Sequence, residues 1–144
     1  MALLRIERVS ALSVGEAFLR ITDWPRHSEH IPLTTVSVTS DPPAGVGATF
    51  VGRTGLGAIG FDDPMTVTCW QPPQEGSPGR CRLEKTGTLI LGWAEIEVQA
   101  LDGGSRVVWT EEVSIRGLPR AFDRLAQAGG QWMFGRAIDG LLHV

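Results

Sequence analysis

The sequence predicts an α+β domain, an antiparallel sheet packed against a long C-terminal helix. Three observations predict it. Between Thr34 and Arg116, apolar and polar residues alternate in short runs broken by Gly- and Pro-rich turns, the mark of half-buried strands. On both sides of that region the apolar spacing becomes helical. The connections are short, so neighbouring strands pair antiparallel and the helices gather on one side.

The first strand runs from Leu3 to Ser10. Ser13 followed by Glu16 is a capping box that opens a helix. Val14, Ala17, Phe18 and Ile21 then mark its buried face. Asp23-Trp24-Pro25 breaks it, and Pro25 starts a second short helix through about Ile31. Val36 and Val38 begin the strand region, followed by Ala48–Thr54, Met65–Trp70, Arg80–Lys85, Thr88–Ala100 and Arg106–Ile115. Asp102-Gly103-Gly104 is a hairpin turn. Thr54 to Pro64, with Gly55, Gly57 and Gly60 among apolar residues, reads as a flexible loop or a bent strand edge. No helix follows it and no lysine stands in it, so it is no phosphate loop. The last helix spans Leu118–Leu142, with Leu118, Phe122, Leu125, Gly129, Met133 and Ala137 as its apolar stripe. Gly129-Gly130 in mid-helix costs about 1 kcal/mol each relative to alanine. Close approach to the sheet, or a bend that leaves space over it, would compensate.

At 144 residues and 42% hydrophobic content the chain is read as one domain, residues 1–144, able to bury a core. Its net charge of -3, with basic residues scattered, argues against a nucleic-acid footprint. No run approaches the roughly 20 apolar residues of a membrane span. Arg5, Glu7 and Arg8 interrupt the N-terminal apolar run, unlike a signal peptide, so a cytoplasmic location is expected. Counting outward from Glu75 puts Cys69 and Cys81 opposite each other across a hairpin. In a reducing compartment they are expected as two buried thiols, with a disulfide the minority case.

Several strings in this order resemble the START-related superfamily known as SRPBCC, in particular its bacterial polyketide cyclase/dehydrase-like members. They are Ser13-Val14-Gly15-Glu16-Ala17-Phe18, Thr22-Asp23-Trp24-Pro25-Arg26-His27, Gly45-Val46-Gly47-Ala48, Gly92-Trp93-Ala94 and Ser105 to Glu111. The resemblance covers essentially the whole chain. It implies a helix-grip fold, in which a curved seven-stranded antiparallel sheet wraps a long C-terminal helix, with two short helices after the first strand. It also implies a cavity for sterols, lipids, polyketides or other apolar molecules. It implies no shared catalytic motif.

The last strand carries Val107, Trp109, Glu111, Val113 and Ile115 on one face. If that face looks at the helix, Glu111 enters the cavity and needs a cation or a raised pKa. Arg53 is the partner expected for it. The alternative is that Glu111 or Glu112 lies on the wet face. Glu111 and Arg53 are thus the catalytic candidates. The expected ligand-binding wall is Phe50, Arg53, Leu56, Phe61, Met65, Trp109 and Glu111 from the sheet. Phe122, Leu125, Gly129 and Met133 close it from the helix, with Gly55–Gly60 as a lid. Asp62-Asp63-Pro64 reads as a turn, and His27 and His30 as a solvated helix face. With His143 they make no metal set, so neither metal nor cofactor is expected. The tryptophans read as core residues, some of them lining the pocket.

Three functions follow, in this order. The first is a non-catalytic binder of a small hydrophobic molecule, lipid- or polyketide-like. The second is a cyclase or dehydratase using Glu111 with Arg53. The third is an interaction module with a vestigial pocket, which requires a filled core and an exposed apolar patch. The pattern fixes no oligomeric state.

Overall fold

The structure, a computed structural model, describes residues 2–143. Strand β1 (Ala2–Ser10) leads to helix α1 (Val14–Ile21) and a 3-10 helix (Trp24–Glu29). Then come β2 (Thr34–Val38), β3 (Thr49–Leu56), β4 (Ile59–Gln71), β5 (Gly79–Lys85), β6 (Ile90–Leu101) and β7 (Gly104–Ile115). A 3-10 turn (Arg120–Phe122) runs into helix α2 (Asp123–Leu141). The strands form one curved antiparallel sheet in the order β1-β7-β6-β5-β4-β3-β2. Each strand pairs with its sequence neighbour except β1, which pairs with β7 from Ala2↔Val113 to Ser10↔Ser105.

Local chemistry accounts for these elements. The Ser13 side chain accepts the Glu16 backbone N–H at 3.2 Å, capping α1. Ala17, Phe18 and Ile21 then turn inward. Each large apolar side chain so buried stabilises the fold by roughly 1.5–3 kcal/mol. They meet Cys81, Ile96, Val98 and Val107 of the sheet and Ile138 and Leu141 of α2. That packed core fills one end of the sheet's inner face and leaves the other end to a cavity.

The stretch expected as a flexible loop or a bent strand edge, Thr54 to Pro64, is strand on both sides of a tight turn, a continuous hairpin. Leu56 pairs with Ile59, and Gly57 supplies the positive φ (61°) of the two-residue turn. Gly55 faces Gly60 across the strands. A Cβ on Gly55 would collide with the Ile59 carbonyl, so the backbones meet where no side chain fits. Asp62-Asp63-Pro64 is likewise not a turn but the body of β4. Pro64 is tolerated because β4 there has run past the end of β5. Its carbonyl accepts Thr86 N–H at 2.9 Å, and its missing N–H faces the same side, beyond the last ladder pair Met65↔Lys85.

The cysteines do not face each other. A register shift between Val67 and Cys69 places Cys69 opposite Arg82 and Cys81 opposite Trp70. The thiols therefore stand on opposite faces, both free. Burial pushes the Cys81 thiol up to about 12, with Cys69 nearby adding to it. Cys69 is half-buried rather than buried.

Both edges of the sheet are covered. On β1 the side-chain amides of Gln127 and Gln131 donate to the carbonyls of Leu3 (2.9 Å) and Arg5 (2.7 Å). Four helical residues advance about 6 Å and two strand residues about 6.8 Å, so the repeats match. Arg8 extends the seam to Asp139 at 2.7 Å. On β2 the Val36 N–H donates to Ser28 Oγ of the 3-10 helix at 2.7 Å. The mid-helix glycines divide their roles. A Cβ on Gly130 would lie 3.0 Å from Leu4, so the helix does pass close to the sheet there, while Gly129 faces open space.

Candidate functional site

A cavity of about 310 Å³ lies between the inner face of the sheet, the 3-10 helix and α2. Its deep wall is a chain of rings. Phe50 stacks on Trp24 with centroids 4.5 Å apart, Trp24 adjoins His27 at 5.7 Å, His27 adjoins Trp109 at 5.9 Å, and Trp109 adjoins Phe134 at 6.2 Å. His27 is buried, not on a solvated face as its sequence setting implied. Its Nε2 stands 2.9 Å from the Ile21 carbonyl and must donate, since a carbonyl only accepts. Burial lowers its pKa more than that bond and Asp23 raise it, so the ring is neutral at pH 7.

The same cavity is lined by a cluster of charge. Lys85 Nζ lies 2.6 Å from Asp63 Oδ2 and 4.0 Å from Glu111 Oε1. Strands β5 and β7 are separated by β6, a span of roughly 10 Å between flanking strands. The long side chains of Lys85 and Glu111 meet over β6 because its inward positions there are Gly92 and Ala94. Glu111 is 2% exposed. Burial raises its pKa from 4.5 to about 6; Lys85 opposes the rise and Asp63 adds to it. Three buried polar atoms on residues that line the cavity have no hydrogen-bond partner among the described residues. They are Asp63 Oδ1, Glu111 Oε2 and the indole Nε1 of Trp109. Native interiors rarely leave such atoms unpaired.

Of the residues expected at the pocket, Phe50, Phe61, Met65, Trp109, Glu111 and Met133 line the cavity. The other five do not. Arg53 is an odd number of residues from Phe50 on one strand, so it points out. It is 51% exposed and pairs with Asp62 at 2.9 Å. Leu56 has the right parity but stands past the rim, 74% exposed. Phe122, Leu125 and Gly129 lie on the outer side of the helical segment, Leu125 71% exposed. The cavity face of α2 is carried by Ala126, Gly130, Met133 and Phe134. The Glu111–Arg53 pair therefore does not form, and Lys85 takes the place expected of Arg53. Sequence reasoning passed over Lys85, and it read Asp63 as part of a turn and His27 as part of a solvated face. Strand parity was a signal for Lys85, which shares its face with Cys81 and Leu83.

Among the described residues no three His, Cys, Asp or Glu side chains are grouped to hold a metal ion. Among the described residues no helix is long and apolar enough to cross a membrane.

No protein-family profile matches the chain, and no curated protein matches it in sequence. Solved structures do match. TTHA0849 from Thermus thermophilus superposes with a TM-score of 0.77 at 14% identity, over 96% of this chain and 93% of that one. The Zhui aromatase/cyclase from Streptomyces sp. R1128 gives 0.71 at 11% identity, over 97% and 90%. Ara h 8.0201 gives 0.63 at 13% identity, over 99% and 98%. At these identities the likeness concerns fold and not activity. With its seven-stranded antiparallel sheet and C-terminal helix, the chain has the helix-grip fold, shared with these structures.

Proposed function

We propose that the chain holds one small, mainly apolar molecule, lipid- or polyketide-like, in the cavity between sheet and α2. The observation that carries this reading is the cavity's construction. It is an unfilled space of about 310 Å³ walled by rings, and three of its lining residues carry a buried polar atom without a partner among the described residues. That volume is at the lower end of small-molecule sites, and an apolar lining with few convergent polar groups is their usual composition. An aromatase/cyclase among the similar structures supports the same reading. A vestigial pocket would be packed shut, and this one is open.

The test is native against denaturing mass spectrometry of protein purified from its own host, followed by titration with the neutral dye Nile red. An added stoichiometric mass, or saturable one-to-one dye binding, is expected. Neither appearing would sink the reading.

A second reading has one observation in its favour. A carboxyl raised to about 6 beside an ammonium is suited to take and return a proton near neutral pH. Acid–base work on a bound polyketide-like substrate, of cyclase or dehydratase type, would use Glu111 with Lys85 and Asp63. In that case Glu111→Gln abolishes turnover and leaves substrate affinity within a few-fold. Retained turnover in that variant would remove the enzyme reading.

A further inference from the structure

We propose that the cavity contains a head-group site for a neutral hydroxyl, phenolic or alcoholic, built from Glu111, Asp63 and Trp109, and that this site turns carboxylates away. The proposal rests on the reading of the cavity as a ligand site and adds which polar end it accepts.

The unpaired atoms define the complement. Glu111 Oε2 and Asp63 Oδ1 need a donor, and Trp109 Nε1–H needs an acceptor. A hydroxyl both donates and accepts, so one such group answers both needs. An ammonium would serve the two carboxylates but offers nothing to the indole. A carboxylate would accept from the indole but adds a third negative charge beside Asp63 and Glu111, against a single lysine. The lysine is also committed already, 2.6 Å from Asp63 Oδ2. It is therefore not a free cation waiting for an anion.

The site is built rather than incidental. Glu111 and Trp109 are almost wholly buried. They rise from the same face of β7, two residues apart, about 6.7 Å along the strand. The ring wall of Trp24, Phe50 and Trp109 lies beside them, so a hydroxyl carried on an aromatic or alicyclic body has an apolar surface to lie on.

The experiment is displacement of Nile red at pH 7.5 by four ligands sharing one body: 2-naphthol, naphthalene, 2-naphthoate and 2-naphthylmethylammonium. 2-Naphthol is expected to displace the dye at about one-tenth the concentration needed for naphthalene or naphthoate. Trp109→Phe keeps the ring and removes the donor, and should cut the advantage of naphthol over naphthalene to about threefold or less. Glu111→Gln removes one negative charge, and should narrow the gap between naphthoate and naphthol at least fivefold. Naphthoate binding as well as naphthol, the ammonium binding tenfold better, or both variants keeping the original ranking would each overturn the proposal. Dye that binds but is displaced equally by all four sinks the head-group site alone. Dye that never binds sinks the cavity reading together with it.

Discussion

Replacing Glu111 with glutamine should make the protein more stable at neutral pH, although it removes a partner of Lys85. The carboxyl lies out of water, and its pKa is raised from 4.5 to about 6. A raised carboxyl binds its proton more tightly in the folded state than in the unfolded one. Its favourable contribution is therefore complete below pH 4.5 and is lost as pH rises through 6. At about 1.4 kcal/mol per pH unit the loss is on the order of 2 kcal/mol. Glutamine has the shape of the protonated acid and does not titrate, and Lys85 keeps its 2.6 Å contact with Asp63. The assay is urea unfolding of both proteins at pH 4 and pH 7.5. The two should be nearly equal at pH 4, with the variant ahead by about 2 kcal/mol at pH 7.5. All other titrating groups are common to both and cancel in the comparison. A stability difference that does not change with pH, or a variant weaker at pH 7.5, would falsify the argument that Glu111 is held charged at a cost. A residue kept at such a cost is more readily explained by ligand or proton handling than by folding.

Three other outcomes are expected. Gly52 faces the cavity, and a Cβ there meets nothing closer than 4.0 Å, so Gly52→Leu should abolish Nile red binding without lowering the urea midpoint. Removing both edge amides (Gln127→Ala with Gln131→Ala) should cost about 1–3 kcal/mol in urea, at 0.5–1.5 kcal/mol per hydrogen bond. Light scattering of that double variant should also rise on mild heating as the β1 edge is uncovered. Ellman's reagent at pH 8 should count one thiol quickly in the native protein, Cys69, and two in urea, because Cys81 is buried and pushed up to about 12.

The sequence was most legible where one period runs unbroken. From Val107 to Ile115 the alternation is clean, and β7 places Trp109 and Glu111 on the inner face as the pattern implied. Reading failed where the period is interrupted or its signal is weak. Glycines and Pro64 hid the strand that carries Asp63, and the shift near Cys69 inverted the faces beyond Val67. The expected pairing of Arg53 with Glu111 runs against the parity of Arg53's own strand. On α2 the hydropathic stripe pointed to Leu125, while the face turned to the cavity holds Ala126 and Gly130. Small residues contribute little to hydropathy, yet they are what a helix needs where it must leave room or pass close. Lys85 ends a strand rich in charge, where parity alone sets it apart from Arg80 and Arg82, and its neighbours Asp63 and Glu111 come only with the fold.

The pairing of β1 with β7 has a consequence for how the chain is made. Ala2 finds its partner only at Val113, and the Gln127 and Gln131 amides that cover the other side of β1 come later still. During synthesis β1 has neither neighbour, while the five hairpins from β2 to β7 are free to zip in succession. The sheet therefore closes by its longest-range contact, which favours slow folding. In the interval an apolar strand is open to pairing with another chain. Folding yield should thus be more sensitive to the β1 edge and to α2 than equilibrium stability is, because those are the elements that wait.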